Sequence, residues 1–137
     1  MKLTGRLLLF DKKDLNNTIF PKDCKISIPE KCPVLMEYRR FDPSDCIGRA
    51  TVERDDKGLS CDLDVWRFDP EQMRSVFNDE IFVGGFYNGV ESHNEDGIRV
   101  IDKMNLQAVS ITLLPADSDL KVAIVGDELK KDVVEEK

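Results

Sequence analysis

The chain has 137 residues and a formal net charge of −7, so its length fits one domain with its own hydrophobic core. The acidic charge argues against charge-driven binding to nucleic acid or to anionic lipid. No apolar run is long enough for a signal peptide or a membrane span. We therefore expect a single domain over residues 1–125, a charged tail over 126–137, and neither nucleic acid nor membrane as a partner.

The four cysteines do not have the spacing of a metal site. Cys24, Cys32, Cys46 and Cys61 are unevenly spaced and include no C-x-x-C pair, whereas zinc sites use closely paired ligands. We expect free thiols that pack as small apolar side chains. The sequence predicts no metal and no cofactor.

Short alternating or β-branched segments separated by turns occupy the first half of the chain. Residues 2–10, 24–29 and 33–38 are the first expected strands. The clearest signal is residues 47–66, which form two alternating stretches joined by Asp-Asp-Lys-Gly. This pattern is typical of an antiparallel hairpin.

One helix is expected after that hairpin. Asp69 suits the N-cap and Pro70 the first helical position, and Met73, Val76 and Phe77 supply an apolar face. The later segments predict a strand at 81–89, a charged loop at 91–97, and strands at 98–104, 106–115 and 121–125. The sum favours a mainly β fold of the α+β kind, an antiparallel barrel or sandwich with a helix packed on it.

Three segments share a pattern with one enzyme family. The first, residues 33–59, is a strand and a polar loop followed by Ile-Gly-Arg-Ala and an Asp-Asp-Lys-Gly-Leu turn. The second, residues 70–86, is a helix followed by a strand that ends in Gly-Phe. The third is LQAVSITLLPAD, residues 106–117. In this order they resemble the prohead (capsid-maturation) proteases of tailed phages, relatives of the herpesvirus assemblins. The resemblance implies a closed antiparallel β-barrel of about seven strands with one or two flanking helices. It also implies a serine protease that cleaves scaffold and capsid protein inside an immature shell.

The residues that this resemblance places at the catalytic positions lack the required chemistry. The histidine base would stand at Tyr38, or at Phe41 if the loop is counted backward, the serine nucleophile at Val83 and the orienting acid at Ala108. A triad needs a hydroxyl nucleophile, a proton acceptor and an orienting group. Because the single histidine of the chain is His93, the resemblance implies a member of the family that has lost catalysis.

His93 and Ser110 are the fallback pair for an active protease. His93 is also adjacent to Ser92, but neighbouring side chains of an extended segment point to opposite sides. Acidic neighbours favour the protonated imidazole, which is a poorer base. We interpret His93 as an exposed loop residue, and Ser110 and Thr112 as polar positions on a half-buried sheet face.

Two acidic pairs are weaker candidates. Asp117 and Asp119 stand at alternate positions, as calcium-binding carboxylates do, but the segment lacks the glycine and the distal glutamate of a full calcium loop. Asp62 and Asp64 are expected on the outer face of the hairpin together with Trp66, which marks a candidate contact surface.

The expected function is that of a non-catalytic structural or auxiliary protein of a tailed-phage virion. It would contact capsid or other virion proteins, and self-association is left open. Two alternatives stay open, an active maturation protease whose site is misaligned here and a small bacterial β-barrel domain that binds a protein. Arginine and aromatic residues are enriched at interface hot spots, which gives the contact candidates Tyr38, Arg39, Arg40, Phe41, Phe86 and Tyr87.

Overall fold

The computed structural model describes residues 1–37, 46–78 and 80–125. These ranges contain nine strands and one helix. The strands are β1 (Lys2–Leu9), β2 (Thr18–Ile19), β3 (Lys25–Ser27), β4 (Cys32–Met36), β5 (Gly48–Arg54), β6 (Gly58–Val65), β7 (Ile81–Glu95), β8 (Ile98–Thr112) and β9 (Lys121–Ile124), and the helix is α1 (Pro70–Phe77).

Seven of the strands close a barrel. Hydrogen-bonded neighbours run in the order β8, β4, β5, β6, β1, β9 and β7, and β7 pairs with β8 again, which completes the ring. The expectation of a mainly β, closed barrel with a flanking helix is confirmed. The sheet is mixed and not purely antiparallel, because β2, β3 and β4 each run parallel to β8. Alternation within a strand carries no information about the direction of its neighbour, so the sequence pattern did not reveal these pairings.

The predicted hairpin of β5 and β6 forms with the expected faces. Its register runs from Gly48 opposite Val65 to Arg54 opposite Leu59. Asp62 and Asp64 are exposed on the outer face. The inward side chains of β6 are all buried in the core, and they are Leu59, Cys61, Leu63 and Val65.

An ion pair at the turn of this hairpin ties it to β1. The Asp55 side chain accepts hydrogen bonds from the backbone of Lys57 and Gly58, and both of its oxygens lie 2.9 Å from Arg6 Nη1. The Arg6 guanidinium, followed by the Lys57 amide, lowers the pKa of Asp55 to about 2.

The helix begins where the sequence predicts. The Asp69 side chain accepts from the Gln72 amide, and the Gln72 side chain accepts from the Asp69 amide, which makes a capping box. Met73 and Phe77 are buried, but Val76 is 57% exposed, so its assignment to the apolar face is wrong. Met73 and Phe77 are four residues apart and share one narrow stripe of a two-turn helix, and Val76 lies beside that stripe. Among the described residues, no helix has the length and apolar character needed to cross a membrane.

The β7–β8 hairpin differs most from the sequence expectation. Residues 91–97 were expected as a loop and residues 98–104 and 106–115 as separate strands, yet β7 and β8 each run for 15 residues. They are joined at Asp96 and Gly97, which have positive φ angles of 52° and 81°. An Asp-Gly pair with positive φ at both positions is the tight turn that matches strand twist. The polar residues 91–95 stay extended because their backbones pair with β8.

Three of the four cysteines are buried, and all four are free thiols. Burial raises the pKa of Cys32 to about 11 and that of Cys61 to about 12. Cys46 is partly exposed, and its Sγ lies 3.1 Å from the Gly48 carbonyl. The expectation of small apolar packing is confirmed for the three buried cysteines.

Gly5 allows the close approach of β9 to β1. A Cβ atom at this position would lie 2.1 Å from the Lys121 carbonyl oxygen and 2.8 Å from the Val122 Cα atom. Gly5→Ala should therefore lower the free energy of unfolding by roughly 3 kcal/mol, the upper part of the range for overpacking. Urea unfolding monitored by circular dichroism measures this loss.

Gly97→Ala is the matched control, because Gly97 has a positive φ but no heavy atom within 4 Å of its would-be Cβ. Gly97→Ala should lower the free energy of unfolding by only about 1 kcal/mol, the cost of a positive φ at a residue with a Cβ atom. Equal losses for the two variants would show that β9 does not constrain Gly5.

Candidate functional site

The positions that the family resemblance assigns to the nucleophile and the acid lie inside packed structure. Val83 on β7 and Ala108 on β8 are both fully buried. Val83 packs in the barrel core, and so does Val109, the neighbour of Ala108. Because successive residues of a strand face opposite sides, Ala108 faces the outer side of the sheet. A serine at position 83 and an acid at position 108 would not meet.

Four of the residues selected from the sequence lie outside the described residues. They are Tyr38, Arg39, Arg40 and Phe41, which include both alternatives for the position of the base.

His93 and Ser110 do not form a catalytic pair. His93 stands opposite Val100 on β8, and Ser110 lies ten positions further along the same strand. At a rise of 3.3–3.4 Å per residue, the two side chains are roughly 30 Å apart. Ser110 is also fully buried, so the fallback protease site is not assembled.

His93 lies in β7 and not in a loop, and it is held between two carboxylates. Its Nδ1 is 2.7 Å from Asp102 Oδ2 and its Nε2 is 3.3 Å from Glu95 Oε1. The hydrogen bond to Asp102, followed by that to Glu95, raises the pKa of His93. The neighbouring Ser92 hydroxyl accepts a hydrogen bond from Arg99 Nε at 3.1 Å. The acidic surroundings favour the imidazolium, as the sequence indicated, so His93 is a poor base.

Ser110 and Thr112 are fully buried, so the expectation of a half-buried face is wrong for both. Thr112 Oγ1 lies 3.3 Å from a Glu37 carboxylate oxygen and accepts from the Leu114 amide at 3.0 Å. The Glu37 carboxylate also accepts from the Leu113 amide. This carboxylate secures the end of the β4–β8 pair, a role that spacing in the sequence did not indicate.

Asp117 and Asp119 share a cation, and it is the ammonium group of Lys12. Lys12 Nζ lies 2.9 Å from Asp117 Oδ1 and 2.5 Å from Asp119 Oδ2. The hydrogen bonds to Asp119 and then Asp117 raise the pKa of Lys12. In the part of the chain that the structure describes, no group of three His, Cys, Asp or Glu side chains could hold a metal ion.

A cavity of about 530 Å³ opens at one end of the barrel, between the loop that follows β1 and the β7–β8 hairpin. We refer to it as the mouth pocket. Volumes of about 300–1,000 Å³ are typical of small-molecule sites, which often lie in the mouths of β-barrels. The floor of the mouth pocket is apolar and includes Leu7, Leu8, Phe20, Ile101, Met104 and Leu120.

The loop between β1 and β2 is fastened on both sides of the mouth pocket. On one side, the Asn17 carbonyl accepts from the Arg99 amide at 3.0 Å, and the Asn17 side chain donates to the Gly97 carbonyl at 3.1 Å. On the other side, the Leu15 amide donates to the Ala116 carbonyl at 2.8 Å. The Lys12 ion pairs join the same two loops, so the loop is attached on both sides of the pocket.

Phe86 and Tyr87, both contact candidates, point to opposite sides of the sheet. Phe86 pairs with Ala108 on the outer side, and a register shift follows directly after Phe86. Tyr87 packs against the core, and its ring centroid lies 6.0 Å from that of Phe20. A Cβ at Gly85 would lie 2.2 Å from the Tyr87 hydroxyl oxygen. The glycine of the Gly-Phe motif therefore makes room for the Tyr87 ring at the wall of the mouth pocket.

Three leucines that the sequence reading did not select are exposed near the mouth pocket. Leu15 is 80% exposed, Leu114 is 81% exposed and Leu113 is 52% exposed. The Leu15–Ala116 hydrogen bond brings their two loops together, and we call the three residues the leucine patch. Two features of the sequence could have indicated this patch. One is the single leucine within the polar stretch DKKDLNNT, and the other is the Leu-Leu pair directly after the alternating residues of β8.

Trp66 is a further exposed aromatic residue, as expected from its position beside Asp64. It is 55% exposed, and the Arg49 guanidinium carbon lies 5.7 Å from its ring centroid. The pair occupies the outer face of the β5–β6 hairpin, away from the residues that line the mouth pocket.

Comparison of the chain with models of protein families, with curated proteins and with solved structures found no match. The functional assignment therefore depends on the residues themselves.

The pKa of His93 should respond to the loss of its first carboxylate. In the folded protein it should lie above the ordinary value of about 6.5, and in Asp102→Asn it should return toward that value. Because the pKa of His93 is higher in the folded than in the unfolded protein, protonation of His93 adds to the free energy of unfolding. This stabilisation is fully present below about pH 6.5 and is lost as the pH rises through the pKa of the folded protein. Imidazole NMR titration measures the pKa directly, since the chain has one histidine.

Asp96→Asn removes a carboxylate from the same hairpin, at a turn position that asparagine tolerates. It should leave the titration of His93 almost unchanged. An equal shift in both variants would mean that general surface charge, and not the Asp102 contact, sets the His93 pKa.

Proposed function

We propose that this chain acts by binding and not by bond cleavage. The observation that carries the proposal is the packing of Val83 and Ala108, which are fully buried apolar residues where the resemblance requires a nucleophile and an acid. Loss of the serine or the histidine of a triad costs on the order of a millionfold in turnover. His93 and Ser110, separated by roughly 30 Å along β8, do not replace it.

The specific role that we propose is that of a structural or auxiliary protein of a tailed-phage particle, located in the virion. The resemblance of residues 33–59, 70–86 and 106–117 to the prohead proteases supports it. A stable barrel can host a new function once its original site is lost. The partners would be capsid or other virion proteins.

The leucine patch supports contact with a protein partner. Leu15 and Leu114 expose about four fifths of their surface on two loops that are fastened together. Exposed apolar side chains that cluster are typical of protein–protein contact sites. Because a backbone hydrogen bond from Leu15 to Ala116 joins the two loops before binding, less ordering entropy would be lost on binding.

The first test is the intact mass and the copy number of this protein in purified mature particles of the phage that encodes it. Full-length chains in tens to hundreds of copies would support a structural role. Absence from mature particles, or recovery only as clipped fragments from immature shells, would overturn it.

The contact surface is tested with the double variant Leu15→Ser and Leu114→Ser. Association with particles in a sedimentation assay should fall by at least about tenfold, since buried leucines contribute roughly 1.5–3 kcal/mol each. The melting temperature should stay unchanged because both side chains are exposed in the free protein.

Val76→Ser is the matched control, since Val76 is an exposed apolar residue (57%) that belongs to α1 and to neither of the two loops. It should leave particle association intact. Equal losses for the double variant and the control would rule out the leucine patch as the contact surface.

A further inference from the structure

The charged groups at the rim of the mouth pocket differ in whether they have a hydrogen-bond or ion-pair partner. Lys12 pairs with Asp117 and Asp119. The Asp14 carboxylate accepts from the backbone amides of Asn16 and Thr18. Lys12 is occupied by two of the three carboxylates, and the third, Asp14, is satisfied by backbone amides, so these groups leave no free cation for a ligand.

Arg99 is the exception at this rim. Its Nε donates to the Ser92 hydroxyl at 3.1 Å, and within the described residues no carboxylate forms an ion pair with its guanidinium. Its backbone amide is fixed by the Asn17 carbonyl. The hydrogen bond to Ser92 engages only Nε, and the terminal guanidinium nitrogens carry no ion pair with a carboxylate of the described residues, which suits the recognition of a planar anion.

The floor below Arg99 is apolar and already formed. Leu7, Ile101 and Met104 are between 0% and 2% exposed, and the Phe20 and Tyr87 rings make one wall. The floor has little surface left to bury, so a ligand gains free energy mainly by covering the partly exposed apolar side chains of the walls, Phe20, Tyr87 and Val90. The pocket thus combines an apolar interior with one unmatched cation at its edge.

We propose that the mouth pocket binds a small monocarboxylic acid with an apolar body, of the size of a medium-chain fatty acid. The chain lies against Phe20, Tyr87 and Val90, above the floor of Leu7, Ile101 and Met104, and the carboxylate accepts hydrogen bonds from the Arg99 guanidinium. This inference does not depend on the proposed role in a phage particle, and the particle measurements above leave it unaffected.

The test is isothermal titration calorimetry with decanoate, below its micelle concentration, and with decanol as the neutral ligand of equal chain length. The wild-type protein should bind decanoate in a saturable manner with one site, and it should bind decanol at least about tenfold more weakly. Arg99→Gln should remove that difference by weakening decanoate alone.

Two further variants complete the design. Lys103→Gln removes a cation from the same strand that does not line the pocket and is 55% exposed, so decanoate binding should stay unchanged. Ala116→Phe fills the pocket from its rim and keeps the backbone bond to Leu15, so both ligands should lose binding. Circular dichroism and the melting temperature without ligand establish that each variant is folded.

Three results would overturn the proposal. They are the absence of saturable decanoate binding to wild type, equal binding of decanoate and decanol with no effect of Arg99→Gln, and undiminished binding to folded Ala116→Phe. The second result would leave an apolar pocket without acid recognition, and the third would place the ligand elsewhere on the molecule.

Discussion

Strand β8 is the element on which the rest of the barrel depends. One of its edges pairs with β7 along nearly the whole length, and the other pairs in turn with β2, β3 and β4. Since the ring of strands closes through the β7–β8 pair, any residue that disturbed β8 would open the barrel. The polar residues Ser110 and Thr112 are tolerated at full burial in this strand because their hydroxyls have hydrogen-bond partners, the Ile111 carbonyl for Ser110 and the Glu37 carboxylate and Leu114 amide for Thr112.

The same arrangement creates the mouth pocket. β9 pairs with β7 only at Ile81 and Phe82, and the β7–β8 hairpin continues beyond that point. The inner face of this continuing part is covered by a loop and not by a further strand. The loop between β1 and β2 spans that gap and is attached to the hairpin at Arg99 and to the 113–120 segment through Lys12. A loop covers a sheet less completely than a strand does, and a cavity of about 530 Å³ results.

Two properties of the molecule support the proposed binding role, the close packing around Val83 and Ala108 and the open mouth pocket. Val83 and Ala108 contribute to packing and provide no reactive group, whereas the leucine patch exposes apolar surface and Arg99 forms no ion pair with the carboxylates that the structure describes. A charge or an apolar group that the fold leaves without a partner is free to contribute to association. The proposed binding role depends on these residues around the barrel mouth.

The sequence by itself determined the local elements. The capping box at Asp69, the alternation of β6 and the turn at Asp55 each depend on interactions over a few residues, and each was predictable from spacing. The parallel pairings to β8, the extended course of residues 91–95 and the burial of Ser110 depend on contacts between segments far apart in the chain, which residue pattern does not encode. The mouth pocket belongs to this second group, because Arg99, Lys12 and the floor leucines meet only when the barrel closes. Tertiary structure alone decided which charged residues meet around the mouth pocket, since Lys12 reaches Asp117 and Asp119 only in the folded chain.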